Sequence, residues 1–271
     1  IDAGVRPGHG PGMRLQIDAH LDYQLHAPAD LLVAMEAAML PDQRLVTDRL
    51  VTRGTGPLVP VAGEEGVGRR TWTRGESRVE ARYTATVELD RAVTPIAGLA
   101  ADPLPRLPAE VTRYIFSSRY CEADQFDPYV RRRFGHVQGG AKVQAMLDWM
   151  TAEMAYVPGA SNATTTAADS FVRREGVCRD FAHVLIAMAR AAEIPARMVG
   201  CYAPDVRPQD FHAVVEVWLD GAWHLVDATG MASCQDLARD VVGRDATDVS
   251  FLTVFGTASL VEQWVTVARV G

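Results

Sequence analysis

Apolar and polar residues alternate at every step from Met13 to Tyr23, with Leu15, Ile17, Ala19 and Leu21 set against Gln16, Asp18, His20 and Asp22. Strict alternation puts the two sets on opposite faces of a strand, one buried and one facing water. His20 falls on the wet face. The same period returns in Val79, Ala81, Tyr83, Ala85, Val87 and Leu89. Between them, Leu31, Leu32, Ala34 and Met35 fit a short helix or a buried strand, and the sheet-rich surroundings favour the strand. Arg44–Thr47 and Arg69–Thr73 are further strands, divided by glycine-rich turns. Several short strands with turn signals predict a β-sandwich over 13–100.

The pattern then changes. From Arg91 to Glu110 no period is sustained, and Pro95, Pro103, Pro105 and Pro108 fall close together, as in an inter-domain linker. Val143, Met146, Leu147, Met150 and Met154 mark one face of a helix over 141–156. From Phe181 to Ala192 nearly every residue is apolar, which predicts a buried helix that ends at Glu193-Ile194-Pro195. Arg197–Tyr202 reads as a strand feeding a loop with Pro204 and Pro208. His212–Leu219 and Ala222–Asp227 read as two strands joined at Asp220-Gly221, a strong hairpin signal. Gln235–Arg244 is polar and reads as irregular, while Phe251–Phe255 and Val261–Val270 are β-rich and finish the sheet. The fold class predicted is α+β: an N-terminal antiparallel β-sandwich over 13–100, then a catalytic domain over 101–271 in which a Cys-bearing helix packs on an antiparallel sheet.

The candidate chemistry lies between Gly176 and Thr229. Cys178 falls in the first turn of the buried helix, where unpaired N–H groups and the positive dipole end stabilise a thiolate. The same groups can hold an oxyanion. A two-residue hairpin turn sets Leu219 opposite Ala222, Val217 opposite His224 and Val214 opposite Asp227. His212 is then diagonal to Asp227 on the same face, within reach of a long side chain. The other face, with Ala213, Val215, Val217, Leu219 and Val226, is apolar and faces the core. A lone cysteine is usually an inert buried hydrophobe. A Cys, a His and an Asp so placed are instead the parts of a nucleophilic thiol site.

Composition narrows the function. The chain has 271 residues, 48% of them hydrophobic, enough for a sizeable core in one large or two small domains. A net charge of −7 argues against nucleic acid or an anionic membrane as partner. The four cysteines, Cys121, Cys178, Cys201 and Cys234, are too far apart for a small disulfide scaffold or a paired metal site. Cys178, His183 and His212 lack a fourth ligand at zinc spacing. No metal or other cofactor is expected. Free thiols and the lack of a long apolar run or leader pattern point to the cytoplasm. Residues 1–12, rich in Gly and Pro, are expected to be a disordered segment or an extension.

Gly176-Val177-Cys178-Arg179-Asp180-Phe181-Ala182-His183 resembles the bacterial branch of the transglutaminase-like cysteine enzymes. So do Ile194-Pro195-Ala196-Arg197, Phe211-His212-Ala213 and Trp223-His224-Leu225-Val226-Asp227-Ala228-Thr229. Ser118-Arg119-Tyr120-Cys121 and Gly243-Arg244-Asp245-Ala246 also look like motifs of that family, so the resemblance runs from residue 13 to the end. It implies a papain-like core behind a β-sandwich, with Cys178 as nucleophile, His212 as general base and acid, and Asp227 as orienting carboxylate. It also implies acyl transfer from a peptide or carboxamide through a thioester. In eukaryotic relatives a Trp near Ser161–Thr166 helps hold the oxyanion, and none stands here. Asn162 can donate in its place, though its residue type suits a plain turn better. Without that Trp, hydrolysis of a peptide or isopeptide bond is expected. Transglutamination or deamidation, and a silent binding module on the same core, are the alternatives.

Overall fold

The computed structural model describes residues 13–270. Residues 1–12, expected to be disordered or an extension, lie outside the described residues.

The chain opens with β1 (Met13–Leu25), β2 (Ala29–Val33), β3 (Gln43–Thr55), β4 (Val59–Ala62) and β5 (Arg69–Leu89). The alternation read in β1 is the alternation observed: Leu15, Ile17, Ala19 and Leu21 are buried. Leu31 and Val33 are likewise buried, in a strand. Arg69–Thr73 and Val79–Leu89 are two parts of one long strand rather than separate strands. Its first part pairs with β2 and β4, and its second with β1 and β3. The strands expected to form a sandwich thus share one hydrogen-bonded antiparallel sheet of seven strands.

The remaining two strands of that sheet come from the other end of the chain. β12 (Leu252–Val254) pairs with β2, and β13 (Ala258–Val270) runs antiparallel along β1 from Arg14–Val270 to Leu25–Ala258. Residues 252–270, placed by sequence in the catalytic region 101–271, therefore belong to the N-terminal sheet. β13 covers an edge of β1 that would otherwise expose unpaired backbone groups. Pattern alone could not say which sheet it closes.

Between these visits the chain builds the second layer. After the proline-rich segment come α1 (Ala109–Thr112), α2 (Ala123–Phe134), α3 (Gly139–Glu153), β6 (Ala155–Tyr156), α4 (Ala167–Arg173), β7 (Glu175–Gly176) and α5 (Cys178–Ala191). A four-stranded antiparallel sheet follows, ordered β10–β9–β8–β11, from β8 (Ala196–Tyr202), β9 (His212–Leu219), β10 (Ala222–Val226) and β11 (Ala238–Gly243). Its inner face, with Ala213, Val215, Val217, Leu219 and Val226, packs with Val184, Leu185, Ile186 and Met188 of α5 in one core. β11 corrects the irregular reading of Gln235–Arg244. A register shift between Arg239 and Val242 breaks the alternation, yet Ala238, Val241 and Val242 are buried.

The two layers share contacts. Tyr202 and Phe211 are buried in the core of the N-terminal sheet, and the Tyr202 hydroxyl donates to Met35 O at 2.6 Å. The Gln43 amide donates to Arg239 O at 2.7 Å. Among the described residues no helix is long and apolar enough to cross a membrane.

Candidate active site

Cys178 is the first residue of α5, and the structure around it is set by Asp180. The Asp180 carboxylate accepts the Val177 N–H at 2.8 Å and closes the helix start. It also accepts from Ser161 Oγ and from Arg179, so the loop before α4 is tied to the cysteine-bearing turn. Gly176 is required here, because a Cβ on it would lie 2.6 Å from Asp180 Cβ.

His212 begins β9, and Asp227 follows the last residue of β10. The observed register, Leu219–Ala222, Val217–His224 and Val215–Val226, is the one a two-residue turn dictates. Asp220 and Gly221 both have positive φ, 48° and 74°, as a type I′ turn needs. The diagonal is closed: His212 Nε2 lies 3.1 Å from Asp227 Oδ2. Further donors hold the carboxylate. Thr229 N–H and Oγ1 donate to Oδ1 at 2.9 and 2.8 Å, and Ala232 N–H donates to Oδ2 at 2.7 Å. The other ring nitrogen, Nδ1, is buried and makes no hydrogen bond, and the Cys178 thiol lies beside the ring.

Burial alone would make the His212 imidazolium less stable. The hydrogen bonds and charges of Asp227 and Cys178 outweigh it and push the group up to about 10. Burial would raise Asp227, but His212 and the Ala232 and Thr229 amides together hold it below the usual carboxylate range. The arrangement is that of a stabilised imidazolium beside a sulfur at a helix N-terminus.

Tyr156, which the sequence did not single out, is a further group near the thiol. The β6–β7 pairing sets it opposite Gly176, two residues before Cys178, and its phenol lies near the Cys178 thiol. Burial, then the nearby Cys178, pushes this phenol up to about 12. Its one sequence signal is a tyrosine shortly before the polar loop, too common a pattern to single out. Asn162 holds a turn. Its side-chain oxygen accepts from Thr164 N–H at 2.8 Å and Thr164 Oγ1 at 2.7 Å, and its neighbour Ala163 lines the cleft.

His183 is directed elsewhere. It is fully buried, its Nε2 accepts the Ala246 N–H at 3.1 Å, and its ring stacks on Tyr120 at 5.2 Å. Burial pulls it down to about 4. These contacts explain the two motifs that had no role in the sequence reading. Tyr120 N–H donates to Asp245 Oδ2 at 3.0 Å. Arg190 of α5 donates to Ser118 Oγ at 2.9 Å and to Arg244 O at 2.6 Å. Ser118–Cys121 and Gly243–Ala246 are thus bound to each other and to the back of α5.

A papain-like thiol fold of this kind defines a class, and the comparisons give the family. The family model of the transglutaminase-like superfamily matches residues 130–228. A candidate cysteine protease from Cytophaga hutchinsonii, solved by crystallography, superposes with a TM-score of 0.90 at 30% identity, covering 97% of this chain and 92% of that one. The chain belongs to the transglutaminase-like superfamily. An uncharacterised Mycobacterium leprae protein is 28% identical over 116 residues, 40% of this chain, and the match spans 42% of that relative's length. The periplasmic domain of TgpA from Pseudomonas aeruginosa is a distant match, at 18% identity and a TM-score of 0.43, covering 83% of this chain and 92% of that domain.

Proposed function

We propose that this protein is a cysteine peptidase or amidase that works through a thioester, with Cys178 as nucleophile, His212 as general base and acid, and Asp227 as the carboxylate that orients it. The observation that carries the reading is the His212–Asp227 pair at 3.1 Å beside the Cys178 thiol. The crystallographic relative described as a candidate cysteine protease agrees with it.

The Cys178 sulfur, as thiolate, attacks the carbonyl carbon of a peptide or carboxamide. The Cys178 N–H and the Tyr156 hydroxyl donate to the oxyanion. His212 gives its proton to the leaving amine as the C–N bond breaks, leaving a thioester and a neutral imidazole. Water then gives its proton to His212 and attacks the thioester, and the acid leaves as Cys178 and His212 return to their starting state. Asp227 keeps Nε2 engaged throughout, so Nδ1 faces the sulfur.

Hydrolysis is favoured over transfer to an amine. The lip of the cleft at 161–166 carries no Trp, and Ala163 there is small and exposed, so water reaches the thioester. A peptide library incubated with and without a primary amine, read by mass, tests this. Cleavage or deamidation products are expected in both arms. Predominant amine incorporation would replace hydrolysis by transamidation and leave the nucleophile in place. The free cysteines suit action in a reducing compartment.

A further inference from the structure

A cavity of about 270 Å³ opens beside Cys178 and His212. Phe211 and Phe251 stack in one wall, their ring centres 3.9 Å apart. Tyr120 stands in its lining too, fixed by the stack on His183 and by its hydroxyl, which donates to Ala163 O at 2.7 Å. Met198, Ala213 and Val249 are buried members of the lining.

The charges are as informative as the rings. Apart from His212, Arg179 is the ionisable side chain in the lining with a full charge, and that charge is already used. Its guanidinium donates to Asp180 Oδ1 at 3.0 Å, Ser161 Oγ at 3.1 Å and Asn162 O at 2.8 Å. No carboxylate is among the described lining residues. A Lys or Arg entering here would be desolvated without a partner, and an Asp or Glu would meet a cation already paired. An aromatic or branched aliphatic side chain loses nothing on entry and buries its area.

We propose that this cavity is the specificity subsite of the enzyme, and that it takes an aromatic or large aliphatic side chain on the residue whose carbonyl Cys178 attacks. The inference rests on the thiol-peptidase reading. It also gives the N-terminal sheet a function. Phe211 is packed in that sheet's core, and Phe251 packs against it directly before β12, so the sheet holds this wall of the cleft in place.

The test uses thiol-reactive peptidyl ketones that differ only in the side chain beside the ketone: Phe, Leu, Asp or Lys. The rate of labelling at Cys178 is read by intact-protein mass. Phe and Leu probes should label at least about 10-fold faster than Asp or Lys probes. Phe251→Glu supplies the missing carboxylate, and the Lys probe should gain on the Phe probe by about 10-fold or more. Ser250→Glu places a carboxylate elsewhere in the lining should the first variant fail to fold, with the same shift expected. Equal labelling by charged and apolar probes would overturn the subsite while leaving a reactive enzyme. So would an unmoved order in a folded carboxylate variant that still labels. If no peptidyl probe labels Cys178 in the native protein, the peptidase reading itself fails and the subsite with it.

Discussion

His212 and Asp227 stand fifteen residues apart in the chain and meet at 3.1 Å, Nε2 to Oδ2, at the open end of the β9–β10 hairpin. The contact depends on the turn as much as on the two side chains. Had the turn at Asp220-Gly221 been one residue longer on one strand, Asp227 would project from the opposite face, into the core.

Cys178→Ala is expected to abolish turnover on any substrate the wild type cleaves, since no other group named at the site can form the thioester. Product formation by mass spectrometry reads this directly. Full activity in the variant would remove Cys178 as nucleophile.

Asp227→Asn keeps the shape but loses the charge that holds the imidazolium. It should lower kcat by about 10²–10⁴-fold with a small change in KM. Steady-state kinetics on one peptide substrate would separate the two constants, and an effect confined to KM would contradict the orienting role.

Tyr156→Phe removes one proposed oxyanion donor and retains the ring, which packs near Phe181. A fall in kcat of roughly 10–10³-fold at unchanged KM is expected. Unchanged kcat would leave the Cys178 N–H without this partner in the transition state.

The His212 group is raised in the folded protein to about 10 from an ordinary 6.5. Its contribution to stability is therefore complete below about 6.5 and is lost as pH climbs to about 10. Asp227, lowered, contributes above the usual carboxylate range and loses that contribution as pH falls through its depressed value. Urea midpoints should drop from pH 7 to pH 10, and by less in Cys178→Ala, because the thiol is one of the groups holding the imidazolium. The alkaline limb of kcat/KM should lie well above the ordinary imidazole value. A limb near 6.5 would show that His212 is not held protonated.

Glu216 lies on β9 with 1% of its side chain exposed, between Arg197 at 2.7 Å and Arg239 at 2.8 Å. Glu216→Leu would remove the buried carboxylate that the two cations share and should destabilise the fold by about 3–5 kcal/mol, measured by urea unfolding. A smaller loss would mean that Glu65 and Asp42, which also pair with these arginines, carry the network.

Local chemistry in the sequence determined the strand faces, the hairpin and the helix start. Alternation in Met13–Leu25 and His212–Leu219, and the Asp220-Gly221 turn, are short-range signals, and His212, Asp227 and Cys178 each sit where such a signal places them. Only the tertiary structure decided which distant segments meet. Tyr156 reaches the thiol through a two-residue parallel pairing too short to leave a pattern. Phe251 joins Phe211 from the far end of the chain, and β13 returns to β1 rather than to the sheet that carries His212. Periodicity reports which side of an element is buried; it carries no information about which other element buries it. The wall of the cleft beside Cys178 is built from such long-range choices.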